Sequence, residues 1–236
     1  MINMVFKEPV GLQQEADRDI TVEHPAEYKF AKNIMAVPIA WGEIGEAAKD
    51  YPLFFGQGAN GTFVPLAIMG VKEGQNLFVN RLGKWEKQRY VPTLFRMYPF
   101  VGNQTGKEVN IAYDKSYPGI NSGNGERFFE KSGEPTEYGK RIMQLVAQYY
   151  GELEYATQQL SKLAEAGILE KRNIDLQVEG EVYRLTDVWQ VNPSKLKALS
   201  DSQLLTFAKE GLYYLIQSHL NSLTNILKLT GMAAGK

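Results

Sequence analysis

Thr62-Phe-Val-Pro-Leu-Ala-Ile-Met-Gly-Val71 is the stretch on which the fold class turns. Phe63 to Val71 is about strand length, carries Pro65, and is apolar enough to be buried on both faces of a sheet. Lys72-Glu73-Gly74 supplies a turn, and Asn76-Leu-Phe-Val-Asn80 reads as the return strand. Leu82-Gly83-Lys84-Trp85 makes a second turn before Tyr90-Val91. Short apolar runs separated by glycine-bearing turns predict an antiparallel meander. Upstream, Leu53-Phe54-Phe55 reads as a strand, and so does Asn33 to Ala40, with Pro38 marking an edge. Glu43 to Lys49 between them reads as a short helix. Residues 1–25 are polar, with Glu15, Asp17, Arg18, Asp19 and Glu23, and are expected to be a loosely attached arm on a single α+β domain spanning 26–236. Downstream, Val109 to Tyr113 is a further strand, Asn121 to Gly125 a loop, and Glu126 to Glu130 a short strand.

After Lys131 the period changes. Pro135 and Thr136 open a helix predicted from Glu137 to Ala166, stopped by Gly167. Its apolar seam is Met143, Val146, Tyr150, Leu153, Thr157, Leu160 and Ala164. Ile174 to Val178 and Val182 to Leu185 form a hairpin through Glu179-Gly180-Glu181, and Asn192-Pro193 opens a short helix to Leu199. Ser200-Asp-Ser-Gln203 has capping-box spacing and starts a last helix, Asp201 to Leu229, ending at Gly231. Its seam is Leu205, Ala208, Leu212, Leu215, Ile216, His219, Leu223 and Ile226. The expectation is α+β: an antiparallel β-rich N-terminal half packed with long C-terminal amphipathic helices. The two seams could meet each other, the sheet, or a second copy of the chain in a homodimer.

Composition narrows the function classes. The 236 residues are 44% hydrophobic and 22% charged, with 26 basic and 27 acidic residues and a net charge of −1. A chain that neutralises many phosphates carries a basic excess, and here Lys and Arg alternate with Glu and Asp, so nucleic acid is not an expected partner. The absence of cysteine removes disulfides, thiolate metal sites and thiol nucleophiles together. No apolar run approaches the roughly 20 residues of a membrane span, and the start lacks the basic-then-apolar order of a secretory signal. A cytoplasmic location is expected.

Residues that carry chemistry are sparse. Gly56-Gln-Gly58-Ala-Asn-Gly61 fits G-x-G-x-x-G superficially, but a strand follows it where a phosphate loop needs a helix, so it reads as a turn. His24 and His219 are the two histidines, which excludes metal sites built on clustered imidazoles. No metal and no cofactor are expected. His219 sits on an apolar seam and reads as a hydrogen-bonded core residue; the sharper alternative is a buried base or ligand contact, with Asn225 nearby. Arg96, set among Tyr90, Tyr98, Pro99 and Phe100, could hold a carboxylate or phosphate, or anchor a loop on backbone carbonyls, and the anchoring role is favoured. Trp41 and Trp85 read as core plugs.

The ordered series Asp50-Tyr-Pro-Leu-Phe-Phe55, Gly74-Gln-Asn-Leu-Phe-Val79, Gly83-Lys-Trp85, Tyr90-Val-Pro92, Arg96-Met-Tyr-Pro-Phe100 and Ser132-Gly-Glu-Pro-Thr136 resembles the SapC-like family. Gly211-Leu212, His219 to Leu223 and Asn225 resemble that family's ending, and the likeness runs over about residues 30–230. Ala112-Tyr113-Asp114-Lys115 departs from a more acidic family version. The resemblance implies association with surface-layer and cell-envelope secretion in Gram-negative bacteria, and it implies no catalytic residue. Two readings follow: a non-enzymatic accessory protein with a secretion or surface-layer partner, or an enzyme or small-ligand binder with a pocket near Arg96, Tyr98 and His219.

Overall fold

The computed structural model describes residues 5–105 and 108–235, and of residues 103–105 and 108 the backbone alone. In chain order the strands are Pro9–Gly11 (β1), Thr21–Val22 (β2), Ala36–Pro38 (β3), Leu53–Gln57 (β4), Phe63–Ile68 (β5), Phe100–Thr105 (β6), Glu108–Asp114 (β7), Glu126–Arg127 (β8), Leu169–Val178 (β9) and Glu181–Val191 (β10). The helices are Ile44–Asp50 (α1), Thr93–Arg96 (α2), Glu137–Glu165 (α3), Pro193–Lys197 (α4), Asp201–Lys209 (α5), Leu212–Ser222 (α6) and Asn225–Ala233 (α7). The fold is α+β, and its strand pairs are antiparallel.

The apolar run that decides the class becomes β5, buried along nearly its whole length and paired on both sides, with β3 and with β4. The main sheet has the order β3-β5-β4-β10-β9, so the rear hairpin extends the front sheet. A second sheet has the order β1-β7-β6, and β2 pairs with β8. Gly56 to Gly61 is the end of β4 and its hairpin turn, with the Gly58 N–H on Thr62 O at 2.8 Å. The return strand expected at 76–80 is not a strand. Asn76 is buried, its Nδ2 donates to Ala31 O and its Oδ1 accepts from the Phe78 N–H, so a side chain takes the place of a ladder partner. Tyr90-Val91 is likewise coil.

The N-terminal segment is not loosely attached. β1 pairs with β7 from Pro9↔Asp114 to Gly11↔Ala112, and Val5, Phe6, Ile20 and Val22 are buried. Its charged residues face out while a few scattered apolar ones enter the core, a pattern too sparse to register as periodicity. Residues 1–4 of the expected arm lie outside the described residues.

Helix α3 forms where predicted. Thr136 Oγ1 caps it by accepting the Gly139 N–H at 3.1 Å while donating to Arg127 O at 2.7 Å. The buried face holds Val146, Tyr150 and Leu160 of the expected seam together with Ile142, Tyr149, Ala156 and Leu163, and Met143 is 42% exposed. That face lies on β5, β6 and β7, so α3 spans both larger sheets. Thr136→Ala is expected to lower stability by about 1 kcal/mol, read as a shift of the urea midpoint at unchanged slope.

The last helix is three pieces rather than one. Gly211 has φ 73°, which glycine adopts without strain, and the chain turns there between α5 and α6. Ser222 Oγ and Thr224 Oγ1 donate back to His219 O and Asn221 O, separating α6 from α7. Ser200 and Gln203 form the predicted capping box. Helix α6 packs on α1, β4 and β10, and α7 on β9. No described helix is long and apolar enough to cross a membrane.

Candidate functional site

The four residues singled out by sequence go to three places. His219 and Asn225 are structural pins in the core. β10 and β4 share one register pair, Trp189↔Phe55, and the same antiparallel register would set Val191 opposite Leu53. His219 stands between those two residues. Its Nε2 accepts the Val191 N–H at 3.2 Å and its Nδ1 donates to Leu53 O at 2.9 Å, so an imidazole replaces one rung of the ladder. The Leu53 N–H goes to Ser222 Oγ at 2.9 Å, one turn further along α6. Burial pushes the His219 ring down to about 4, against the pull of the Leu53 carbonyl, so the ring is neutral with its proton on Nδ1. Both nitrogens are occupied, leaving none for a ligand. Asn225 Nδ2 donates to Ala48 O at 2.7 Å and Tyr51 O at 3.2 Å, closing the exposed end of α1.

Tyr98 belongs to a different centre. Its ring stacks on Phe30 with centroids 3.9 Å apart, and its hydroxyl donates to Asp114 Oδ2 at 3.2 Å. Asp114 is fully buried and also accepts from the N–H groups of Lys7, Glu8 and Ser116 and from Ser116 Oγ. Burial alone raises its carboxyl, but the Ser116 hydroxyl and the three backbone donors outweigh that and hold it below the ordinary aspartate value. The adjoining depression of about 510 Å³ is open and is lined by Lys7, Lys29, Phe30 and Tyr117.

Arg96 lines a cleft of about 260 Å³ bounded by Ala40–Glu43, the Tyr90–Arg96 segment and one face of α3. Glu43 forms its floor. This carboxylate is 5% exposed; Oε2 accepts the Ala40 N–H at 2.9 Å, and Oε1 accepts the Thr93 N–H at 2.6 Å and the Tyr90 hydroxyl at 2.9 Å. Burial, with the Glu43 charge beside it, pushes the Tyr90 hydroxyl up to about 12. Arg96 donates through Nε to Val91 O at 3.1 Å and through Nη2 to Thr93 Oγ1 at 2.6 Å and Tyr90 OH at 3.2 Å, so it does anchor its loop. The guanidinium remains exposed at the mouth, 5.7 Å from the Tyr90 ring centre. From α3, Tyr149 donates to Pro38 O at 3.0 Å, and Glu152 accepts the Gly42 N–H at 2.9 Å and the Gln148 amide at 2.8 Å. A Cβ on Gly42 would come within 2.6 Å of Glu152 Oε2, so a larger residue there would displace the Glu152 carboxylate.

A family model described as SapC matches residues 12–229 of the 236-residue chain. The chain belongs to the SapC family. Among curated proteins and among solved structures, nothing matches it. The SapC match takes in both walls and the floor of the Arg96 cleft, the His219 centre, and Asp114 with its Ser116 and Tyr98 donors, but not Lys7 and Glu8.

The sequence singles out Arg96 but not the residues that share its cleft. Glu43 reads as the start of a short helix, Glu152 as one of many charges on a long one, and the two are brought together over more than 100 residues of chain. Asp114 stands in the stretch noted only as departing from the family pattern. Trp41 and Trp85 are half-buried rather than core plugs: Trp85 Nε1 donates to Tyr90 O at 3.2 Å, and Trp41 packs on Tyr155 and Tyr214 at the surface. Among the described residues no three His, Asp or Glu side chains converge as metal ligands.

Proposed function

We propose that this SapC-family chain is a cytoplasmic accessory protein that serves the export of surface-layer or cell-envelope proteins by binding, without making or breaking covalent bonds. The observation that carries this reading is the state of its buried ionisable groups. A general base or nucleophile needs a lone pair aimed at a substrate. Both nitrogens of His219, both oxygens of Asp114 and both oxygens of Glu43 are instead engaged by donors and acceptors of the chain itself. The family resemblance supplies the link to surface layers. In a bacterial host lacking this chain, surface-layer protein is expected to fall several-fold in the envelope fraction and to accumulate inside the cell, with recovery on complementation. An unchanged distribution overturns the reading.

A second reading is favoured by the Arg96 cleft: a binder of a small polar ligand, for which Arg96 is the contact residue. Tyr98 and His219, expected beside the same pocket, and Asn225, expected near His219, are committed elsewhere.

A further inference from the structure

Three charged side chains line the Arg96 cleft, and none is paired with another. Arg96 is held by Val91 O, Thr93 Oγ1 and Tyr90 OH, Glu43 by its three donors, and Glu152 by the Gly42 N–H and Gln148. Each charge is fixed by uncharged neighbours, so guanidinium and carboxylates do not collapse on each other. Nη1 of Arg96 makes no hydrogen bond among the described residues, and the Thr93 hydroxyl, which accepts from Arg96, keeps its own proton to give. On the α3 wall Glu152 is partly exposed and retains acceptor capacity beyond the two donors it holds. The cleft therefore offers donors on one side, an acceptor charge on the other, and Leu145, Ala40 and the tyrosine rings between.

An inorganic anion at Arg96 would face two carboxylates against one guanidinium, an unfavourable balance. A simple cation would leave the guanidinium unmatched. A molecule bearing both charges on a short apolar frame satisfies both walls. At about 260 Å³ the cleft lies just under the ~300 Å³ at which drug-sized sites begin, so the occupant is small. We infer that the cleft binds a free amino acid, its carboxylate on Arg96 Nη1 and the Thr93 hydroxyl and its ammonium on Glu152. The surplus of negative charge selects neutral and basic amino acids over acidic ones. This inference rests on the ligand-binding reading above.

Isothermal titration of the full chain with L-alanine, L-lysine, L-glutamate, N-acetyl-L-alanine, L-alaninamide and inorganic phosphate tests it. Alanine and lysine are expected to bind at least tenfold more tightly than glutamate, phosphate and the two blocked alanines. Arg96→Ala and Glu152→Gln are each expected to weaken alanine or lysine at least tenfold; Arg96→Ala also lowers the melting temperature by removing a loop anchor, whereas Glu152→Gln leaves it in place. The amide oxygen introduced by Glu152→Gln still accepts the Gly42 N–H. Equal binding of the blocked forms, tighter binding of phosphate, or no binding of either amino acid overturns the assignment. A host assay separates the two levels. If no amino acid binds yet Glu152→Gln abolishes complementation of the deletion strain, the ligand class is wrong and the cleft remains a binding site. If that variant also complements fully, both fall.

Discussion

Replacing His219 by alanine is expected to lower the free energy of unfolding by about 3–5 kcal/mol. Two terms add: a cavity where a buried ring stood, and two buried backbone groups, the Val191 N–H and Leu53 C=O, left without partners. Because β4 and β10 share one register pair, nothing else on the strands can replace the imidazole. Chemical denaturation at pH 7.5 measures the loss, and a change below about 1 kcal/mol would refute the ladder role. The same residue sets an acid sensitivity. In the unfolded chain the ring titrates near its ordinary 6.5, in the folded chain near 4. Between those values the unfolded state holds the extra proton, so His219's contribution is complete above pH 6.5 and declines as pH falls, levelling near 4. The span corresponds to roughly 3 kcal/mol. Wild type and His219→Phe should therefore differ in the slope of stability against pH between 6.5 and 4, and parallel curves would contradict the buried neutral ring.

The second large effect is at Asp114. Asp114→Ala leaves the Tyr98 hydroxyl unmatched in a buried site and the N–H groups of Lys7, Glu8 and Ser116 unmatched in a part-buried one, a loss of about 2–4 kcal/mol. The damage is also local: amide exchange in β1 should rise by orders of magnitude more than in β5, because Lys7 and Glu8 deliver β1 to the edge of β7. Uniform exchange across the two strands would show that Asp114 does not hold the N-terminal segment. Its carboxyl is depressed in the folded state, so its contribution is present above the unfolded carboxylate value near 4 and is lost as pH falls through the lower folded value. The two centres thus fail in sequence on acidification, His219 first.

How much of this was legible depended on whether the signal was local. β5 declared itself because both its faces are buried, and α3 because 29 residues repeat one period between a proline-threonine start and Gly167. The capping box at Ser200 is a four-residue pattern and was readable as such. The rear hairpin was seen only in part. β9 and β10 reach from Leu169 to Val191, but much of that ribbon meets water and carries pairs such as Arg184–Asp175 and Lys171–Asp187, at 2.5 and 2.6 Å, which dilute the apolar alternation. The breaks in the last helix were hidden because its apolar seam runs straight across Gly211 and Leu223. Site residues fared worse still. Arg96 is conspicuous by its aromatic neighbours, yet Glu43 and Glu152 acquire meaning only from each other's position, and His219 reads as a core strut from its apolar seam without any sign of which strands it joins.

Leu53 finds its hydrogen-bond partners 166 and 169 residues further on, and the carbonyls of Ala48 and Tyr51 find theirs 177 and 174 residues on. During synthesis these groups therefore wait, solvated or misdirected, until the chain through Asn225 has left the ribosome. Closure of such distant loops is slow, and the interval leaves the apolar β4–β5 pair uncovered on the flank that α6 later occupies. A nascent chain stopped before Ser222 should behave as a chaperone client, whereas one completed through Asn225 carries every group needed to seal that flank.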